Sequence, residues 1–444
     1  MKKSLAILLV LMLALATFGC TAAEVNAAVD QAQEAVTEAV DDAAKKEDAA
    51  PAEEAAPAPT AAPVPREARK PIAAADLKVG AILVHDENSG YDQAHIDGVK
   101  AAQKANGMTD EQIIFKYNIP EDETCYDTAV DLAEQGCNIV FSDSYSHQSY
   151  MMQAAKEYPN TMFIACTGDT AAAEPVANVG NMFPYTFQSR YVSGVVAGMK
   201  LKELIDAGKA TDPYVGYVGA YPYAEVVSGY TAFFLGIRSI VPEAHMDVQY
   251  TNSWYDPTAE AEAANALISK GCVIIGQHAD STGAPSAVQA ALKAGKVCYS
   301  VGYNIDMLSV APEAALTSAQ NNWGALYTPV FAQMISGEII PSDLAKGYAD
   351  DGVMISKIGP SCAEGTQAKV DEVIAGLKAG TLEVFDCANF TVGEKPVTSY
   401  FAFDINGDFV GDVGEAISDG IFHESTLRSA PYFGLRIDGI TELN

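Results

Sequence analysis

From Leu77 onward the chain alternates short apolar runs with amphipathic stretches, and this alternation limits the fold more than any single residue does. The runs "KVGAILV", "QIIFKYNI", "CNIVFSD" and "TMFIACTG" have strand length. Between them lie "QAHIDGVKAAQKAN", "YDTAVDLAEQG" and "SYMMQAAKEYP", whose apolar residues recur at helical spacing. Strands alternating with helices join through right-handed crossovers into a parallel sheet covered on both faces. A second series begins with the helix "RYVSGVVAGMKLKELIDAG" and continues through "YVGYVGA", "SGYTAFFLGIRSIV", "MDVQYTNS", "PTAEAEAANALISKG", "CVIIGQ", "APSAVQAALKAG" and "KVCYSVG". Within the two series, "LAEQGCNIVFSDSYSHQSYMMQAAKEYPNTMFIACTG" and "LISKGCVIIGQHADSTGAPSAVQAALKAGKVCYSVG" share one order of helix, Gly-Cys, apolar strand, polar tip, helix and strand. The expected fold class is α/β, with two doubly wound parallel-sheet lobes. At 444 residues the chain is too long for a single core in any case.

The first residues, "MKKSLAILLVLMLALATFGC", pair two lysines with an apolar run from Leu5 to Ala16. A membrane span needs about 20 such residues, so this run fits a secretory signal. Its Gly19-Cys20 end resembles the lipobox of bacterial lipoproteins, with Thr17 where that pattern usually has Leu. That resemblance implies a lipidated Cys20 as the mature N-terminus. From Thr21 to about Ala75 the composition turns to Ala, Glu, Pro and Asp, too poor in large apolar groups to offset ordering entropy. The segment reads as a disordered tether.

A formal net charge of -31 excludes nucleic acid as a partner, because a phosphate backbone needs a Lys/Arg surface. Without Cys20 the eight cysteines leave an odd number. Cys166 and Cys298 lie in apolar runs and read as core, whereas Cys362 and Cys387 are a pair that an exported protein could bridge.

Ligands of open parallel sheets bind beyond the carboxyl ends of the strands. Those ends carry "HDENSGYD" (His85 to Asp92), "SDSYSHQ" (Ser142 to Gln148), "AYPYAEV" (Ala220 to Val226), "SWYDP" (Ser253 to Pro257), "QHADSTG" (Gln277 to Gly283) and "GYNIDM" (Gly302 to Met307). Aromatics and carboxylates recur there: Tyr91, Tyr145, Tyr221, Trp254 and Tyr303 with Asp92, Asp143, Asp280 and Asp306, to which Trp323 is added. Aromatic faces with a few polar edges suit a flat heterocycle or a sugar. For each aromatic the alternative is core or hinge packing, and for Asp280 it is capping of the helix that follows. His278 has no second histidine at metal-ligand spacing nearby. Asp256-Pro257 should open the helix "TAEAEAANAL", where a missing N–H costs least. Phosphate-loop motifs are missing, as is a GxSxG elbow, and His278, Asp280 and Ser281 lie too close together in sequence for a catalytic triad. "DINGDFVGD" (Asp404 to Asp412) lacks the closing glutamate of a calcium loop and reads as an Asn406-Gly407 hairpin turn.

Taken together, "KVGAILV…YDQAHIDGVKAA", "FQSRYVSGVVAG", "YVGYVGAYPYAEVVSGYTAFFLGIRSIVPEA", "TNSWYDPTAEAEAANALISKGCVIIGQHADS" and "GYNIDMLSVAPEAALTSAQNNWGALYTPV" resemble the basic membrane protein family. These are bacterial substrate-binding lipoproteins of ATP-driven importers, with members that bind purine nucleosides or bases. The resemblance runs from about Leu77 to Thr391 and resumes at "YFGLRIDGI". It implies a type I periplasmic-binding fold with three hinge crossings, no cofactor, no metal and no enzymatic step. It also implies a monomer that is anchored to the extracytoplasmic face of the cell membrane and delivers its ligand to an ABC permease.

The implied divisions are a signal at 1–20 and a tether at 21–75. They continue with a first lobe of 76–187 plus 321–345 and a second of 188–320 plus 346–444. The implied ligand residues are Tyr91 and Asp92 at the first tip, Ser144 and Tyr145 at the second, and Tyr221 at the third. Trp254 in the "W-[FY]-D-P" block, Asp280 in "QHxDS", Asp306 in "GYxxDM" and Trp323 in "NWG" at the third crossing complete the set. The stretch Thr398 to Thr426 is longer than the family pattern leads one to expect and reads as a hairpin-bearing addition to the second lobe. A sugar or other small metabolite on the same fold, or a sensory receptor, are the alternative functions.

Overall fold

Two parallel sheets organise the chain in the computed structural model, which describes residues 66–173, 176–404 and 411–444. The first sheet holds β1 (Val79–Ile82), β2 (Ile113–Lys116), β3 (Ile139–Ser142), β4 (Met162–Ala165) and β5 (Val179–Met182), joined late by β11 (Asp343–Leu344). Its order is β11-β5-β4-β3-β1-β2. The second sheet is built from β6 (Tyr214–Gly219), β7 (His245–Tyr250), β8 (Ile274–His278), β9 (Tyr299–Tyr303), β10 (Ala315–Asn321), β12 (Val353–Ile355) and the last strand β13 (Ile440–Glu442). Its order is β12-β10-β9-β8-β6-β7-β13, and only β12 runs antiparallel to its neighbour. Both are the doubly wound arrangements that the alternating sequence predicts.

Helices α1 (Gly90–Ala105), α2 (Glu123–Glu134) and α3 (His147–Glu157) connect the first sheet. Helices α4 (Thr186–Asp206), α5 (Ala224–Arg238), α6 (Pro257–Lys270) and α7 (Gly283–Lys293) serve the second, α8 (Trp323–Ser336) returns to pack on α1, and α9 (Thr366–Ala379) packs on α4. Local chemistry sets several starts. Asp256 accepts the Thr258 and Ala259 amides at 3.0 and 2.9 Å, so α6 begins at Pro257 as expected. Ser89 caps α1, which therefore starts earlier than "QAHIDG" suggests and carries Tyr91 and Asp92 in its first turn.

Helices α4 and α5 cross in backbone contact. A Cβ at Gly194 would lie 2.0 Å from the Phe233 carbonyl oxygen, and one at Gly236 would lie 2.2 Å from that of Tyr191. The two backbones touch where the side chains are missing, so the pair leaves no room for a methyl group.

The chain crosses between sheets after β5, after β10 and after β11, and the three crossings are bonded to one another. Thr186 Oγ1 donates to Asn321 Oδ1 at 2.8 Å, the Tyr185 amide to the Lys346 carbonyl at 2.8 Å, and the Asn322 amide to the Gly352 carbonyl at 2.9 Å. Trp323 thus follows the second crossing in chain order, not the third.

The tether expectation meets a difference at its end, where residues 66–72 are already pinned. The Arg69 amide donates to Gly337 O at 2.9 Å, that of Ile72 to Ile335 O at 3.1 Å, and the Arg66 guanidinium to Ile340 O at 3.1 Å. The carbonyls exposed at the end of α8 supply the partners that composition could not reveal. The signal, Cys20 and the tether up to residue 65 lie outside the described residues, as does the Asn406-Gly407 turn. The strands flanking that turn, Phe401–Phe403 and Val413–Glu415, pair antiparallel. Cys166 and Cys298 are core residues, and the described cysteines, Cys362 and Cys387 included, are free.

Glu260 is fully buried on α6, where its Oε1 accepts the Ser281 amide at 3.1 Å, and burial pushes its carboxyl up to about 7. A folded-state value raised above the unfolded one gives stability that is present below pH 4.5 and lost as pH rises through about 7. Relative to the wild type, Glu260→Gln should therefore gain thermal stability from pH 5 to 8, by about 1.4 kcal/mol at most per pH unit. Gly194→Ala or Gly236→Ala should cost about 1–3 kcal/mol through overpacking, read from urea unfolding at fixed pH.

Candidate functional site

The carboxyl ends of the two sheets face each other across a narrow cavity of about 20 Å³ in this closed form. The first lobe lines it with Val84, Tyr91, Asp143, Ser144, Tyr145 and Thr167; the second contributes Glu225, Trp254, His278, Asp280 and Tyr303. Register explains this membership. Asp143 directly follows β3, while Val84 and Thr167 stand two residues beyond β1 and β4. His278 and Tyr303 are the last residues of β8 and β9.

Each wall is fixed from behind. The Tyr91 hydroxyl donates to the carbonyls of Asp143 and Cys166 at 2.9 and 3.2 Å, and its ring stands edge-on to Trp323 at 6.1 Å. Tyr145 donates to Asp169 Oδ2 at 2.8 Å, and Ser144 donates to Glu121 Oε1. Across the cleft, Trp254 packs edge-on against Tyr221 at 5.2 Å. The Tyr303 ring lies under the guanidinium of Arg190, 3.6 Å from its centroid, and 4.8 Å from the His278 ring. Arg190 is itself buried and donates to the Gln277 carbonyl at 2.6 Å.

Asp280 joins the lobes. Its carbonyl accepts the Gly90 amide of α1 at 2.8 Å, its own amide donates to Trp254 O at 2.8 Å, and Asn304 donates to Oδ1 at 2.9 Å. The carboxylate is therefore not the cap of α7, whose cap position is Thr282.

The electrostatics follow from burial. Burial, with Asp92 beside it, pushes the Asp143 carboxyl well above its usual range. Burial and the charges of Asp92, Glu260 and Glu225 do the same to Asp280. Burial and then Arg190 push His278 well below its usual range, so its imidazole is neutral. Several atoms of the lining residues are buried without a hydrogen-bond partner: Thr167 Oγ1, both His278 ring nitrogens and the Tyr303 hydroxyl. Such atoms in a native structure call for an explanation, and at a cavity a ligand is the natural one.

Of the residues expected from sequence, Tyr91, Ser144, Tyr145, Trp254 and Asp280 come together in this lining. Four stand elsewhere. Asp92 is fully buried and takes the His85 amide on Oδ1 at 2.8 Å. Tyr221 backs Trp254 and stacks on Tyr223 at 5.0 Å. Trp323 is stacked on His95 at 3.8 Å behind Tyr91. Asp306 is exposed and caps the short helix Met307–Ser309 through the Leu308 amide. Val84, Thr167, Glu225 and His278 line the space without having been singled out as ligand residues, and Asp143 and Tyr303 were named only among the tip carboxylates and aromatics; positions at or just after strand ends, or for Glu225 in the first turn of α5, were the available signal. Ser281 is buried outside the lining, where its hydroxyl accepts the Gly283 amide at 3.0 Å, so no Ser-His pair forms.

Known proteins agree with this architecture. Residues 79–372 match the family model described as ABC transporter substrate-binding protein, PnrA-like. A purine-binding protein of Brucella abortus is 30% identical over 317 residues, covering 70% of this chain and 84% of that protein. A Haloferax volcanii relative with a provisional ABC transporter glucose-binding name is 33% identical over 239 residues, 54% of this chain and 56% of its own. Among solved structures, an ABC transporter solute-binding protein from Aeropyrum pernix has a TM-score of 0.60 at 14% identity, covering 69% of this chain and 92% of that chain. That likeness shows the fold alone. No described helix is long and apolar enough to cross a membrane. The extent of the family match, on a fold of two facing α/β lobes, leads to one assignment: the chain belongs to the PnrA-like family of ABC transporter substrate-binding proteins.

Proposed function

We propose that the chain captures a neutral purine nucleoside or purine base between its lobes and delivers it, chemically unchanged, to an ABC permease. We also propose that it does so from the extracytoplasmic face of a membrane, held there by a lipid on Cys20. The observation that carries the ligand class is the set of unpartnered polar atoms on Thr167, His278 and Tyr303, set among the rings of Tyr91, Tyr145, Trp254 and Tyr303. A flat heterocycle offers two apolar faces to such rings and a mixed donor and acceptor edge to such atoms. A neutral imidazole supplies one donor and one acceptor.

Charge narrows the class further. Asp143, Glu225 and Asp280 line the space, and the nearby cation, Arg190, is occupied against Tyr303 and Gln277. An anionic ligand such as a nucleotide would lose the hydration of its charge on closure and find that cation already engaged, at a cost no counter-charge offsets. The Brucella relative's purine-binding name supports this reading, whereas the Haloferax name keeps a sugar as the competing one.

Denaturing the purified full-length chain and identifying the released small molecule by mass spectrometry tests the ligand class. A stoichiometric purine or nucleoside is expected, and glucose or another sugar would overturn it. In calorimetry against adenosine, inosine, adenine and hypoxanthine, Asp280→Asn and Asp143→Asn should each weaken binding about tenfold or more, because a mismatched buried group costs about 1–3 kcal/mol. Cys20→Ser should shift the protein from the membrane fraction to the soluble one.

A further inference from the structure

The pocket wall is tied to a part of the chain beyond the family match, which ends at residue 372. The segment after α9 is rooted in the second lobe by aromatic packing: the Phe385 ring lies 5.4 Å from that of Phe187 on α4, and within the segment it stacks on Phe433 at 4.3 Å. From that base a loop leaves toward the other lobe. Glu424 holds the loop's two ends together, accepting the amides of Tyr432 and Phe433 at 2.8 Å each.

The tip of this loop grips the first lobe. Arg428 Nη1 donates to Asp169 Oδ2 at 2.5 Å, and both side chains are almost fully buried, at 6% and 3% exposure. The next residue's amide, that of Ser429, donates to Asp343 Oδ2 on β11 at 2.6 Å. Ala172, beside Asp169, packs against the same second-lobe cluster. The oxygen of Asp169 that takes Arg428 also takes the hydroxyl of Tyr145, a lining residue of the pocket.

We propose that the loop Glu424–Phe433 is a latch carried by the second lobe, and that Arg428 and Asp169 are positioning residues that hold the cleft shut and fix Tyr145 against the ligand. The role given to Tyr145 rests on the ligand reading above; the grip between the lobes does not. Opening the cleft separates Arg428 from Asp169 and hydrates both charges, so the latch acts on the closed state alone. The net worth of a buried pair is small because desolvation offsets attraction, but removing Arg428 leaves the Asp169 charge buried without its guanidinium partner. Loss of either partner should therefore be felt in the rate of opening, and loss of both should be felt less than the product of the two.

The test uses the full-length chain with adenosine as probe, followed by the fluorescence of Trp254 and Trp323 in stopped flow. Arg428→Ala should speed adenosine release about tenfold or more while leaving association within about twofold, since truncating a buried charge pair acts on dissociation. Arg428→Lys should restore most of the slow release, and Arg428→Ala combined with Asp169→Asn should be less than multiplicative. Small-angle scattering of ligand-free protein should show a larger radius of gyration in Arg428→Ala and in Asp169→Asn than in the wild type. Asp169→Asn keeps the side chain's shape and serves if Arg428→Ala does not fold. Release rates and scattering that match the wild type in both single variants would overturn the latch. Wild-type protein that ignores adenosine would overturn the purine reading only, and the scattering comparison would then decide the latch by itself.

Discussion

Three segments of chain pass between the lobes, and their bonds to one another are the constraint on which the cleft depends. Thr186 with Asn321, Tyr185 with Lys346 and Asn322 with Gly352 tie the crossings side by side. A bundle bonded laterally can bend as a unit while its hydrogen bonds persist, so each sheet presents its strand ends to the other as a fixed set. Right-handed crossovers had already put those ends along one edge of each sheet. The hinge then needs only to bring the two edges together, as the bond from the Gly90 amide to the Asp280 carbonyl records.

Closure has an electrostatic consequence for a chain this acidic. Asp143, Glu225 and Asp280 line the closed space, with Asp92 and Glu260 buried behind them and Arg190 a buried cation alongside. Removing water from such a group raises the cost of every negative charge, and the response is protonation. Asp143 and Asp280 are pushed upward for that reason, burial first and neighbouring carboxylates second. The pocket that results is far less charged than its residue types suggest. It displays donors and acceptors in place of ions, and the proposed neutral ligand follows from that change of character.

The fold was legible because alternating strand and helix periods leave a parallel sheet as the consistent outcome, and the Gly-Cys repeat marked the second lobe. The lining of the candidate site was legible where chemistry and position coincided: Tyr91, Tyr145, Trp254 and Asp280 are conspicuous residues at loop tips. It was illegible where a lining residue also belongs to an apolar run. Thr167 lies inside the run "TMFIACTG" and drew no reading as a ligand residue, although its hydroxyl, two residues past β4, has no hydrogen-bond partner. Trp323 shows the opposite error. Its size and its place in "NWG" suggest a ligand face, yet α8 packs so closely on α1 that a Cβ on Gly98 would lie 2.4 Å from the Trp323 Cβ, and the ring is used to support Tyr91. Asp306 differs again, since a carboxylate two residues before a free amide at a helix start is a cap by default.

The C-terminal region was the least legible part because its meaning lies in contacts between distant residues. Arg428 and Asp169 stand 259 positions apart, beyond the reach of any local pattern. The region is nevertheless fixed at both ends in one lobe. It leaves from α9, and it returns as β13 alongside β7, where Glu442 accepts hydrogen bonds from Tyr230 and Tyr250 at 2.7 and 2.6 Å. A segment anchored twice in the same lobe has already met most of the entropy of loop closure, so reaching across the cleft orders little additional chain. That separates it physically from the hinge. A hinge segment passes from lobe to lobe and keeps its bonds whether the cleft is open or shut. The Glu424–Phe433 loop touches the far lobe without passing into it, so its contacts with Asp169 and Asp343 are confined to the closed state and favour that state by their whole net free energy.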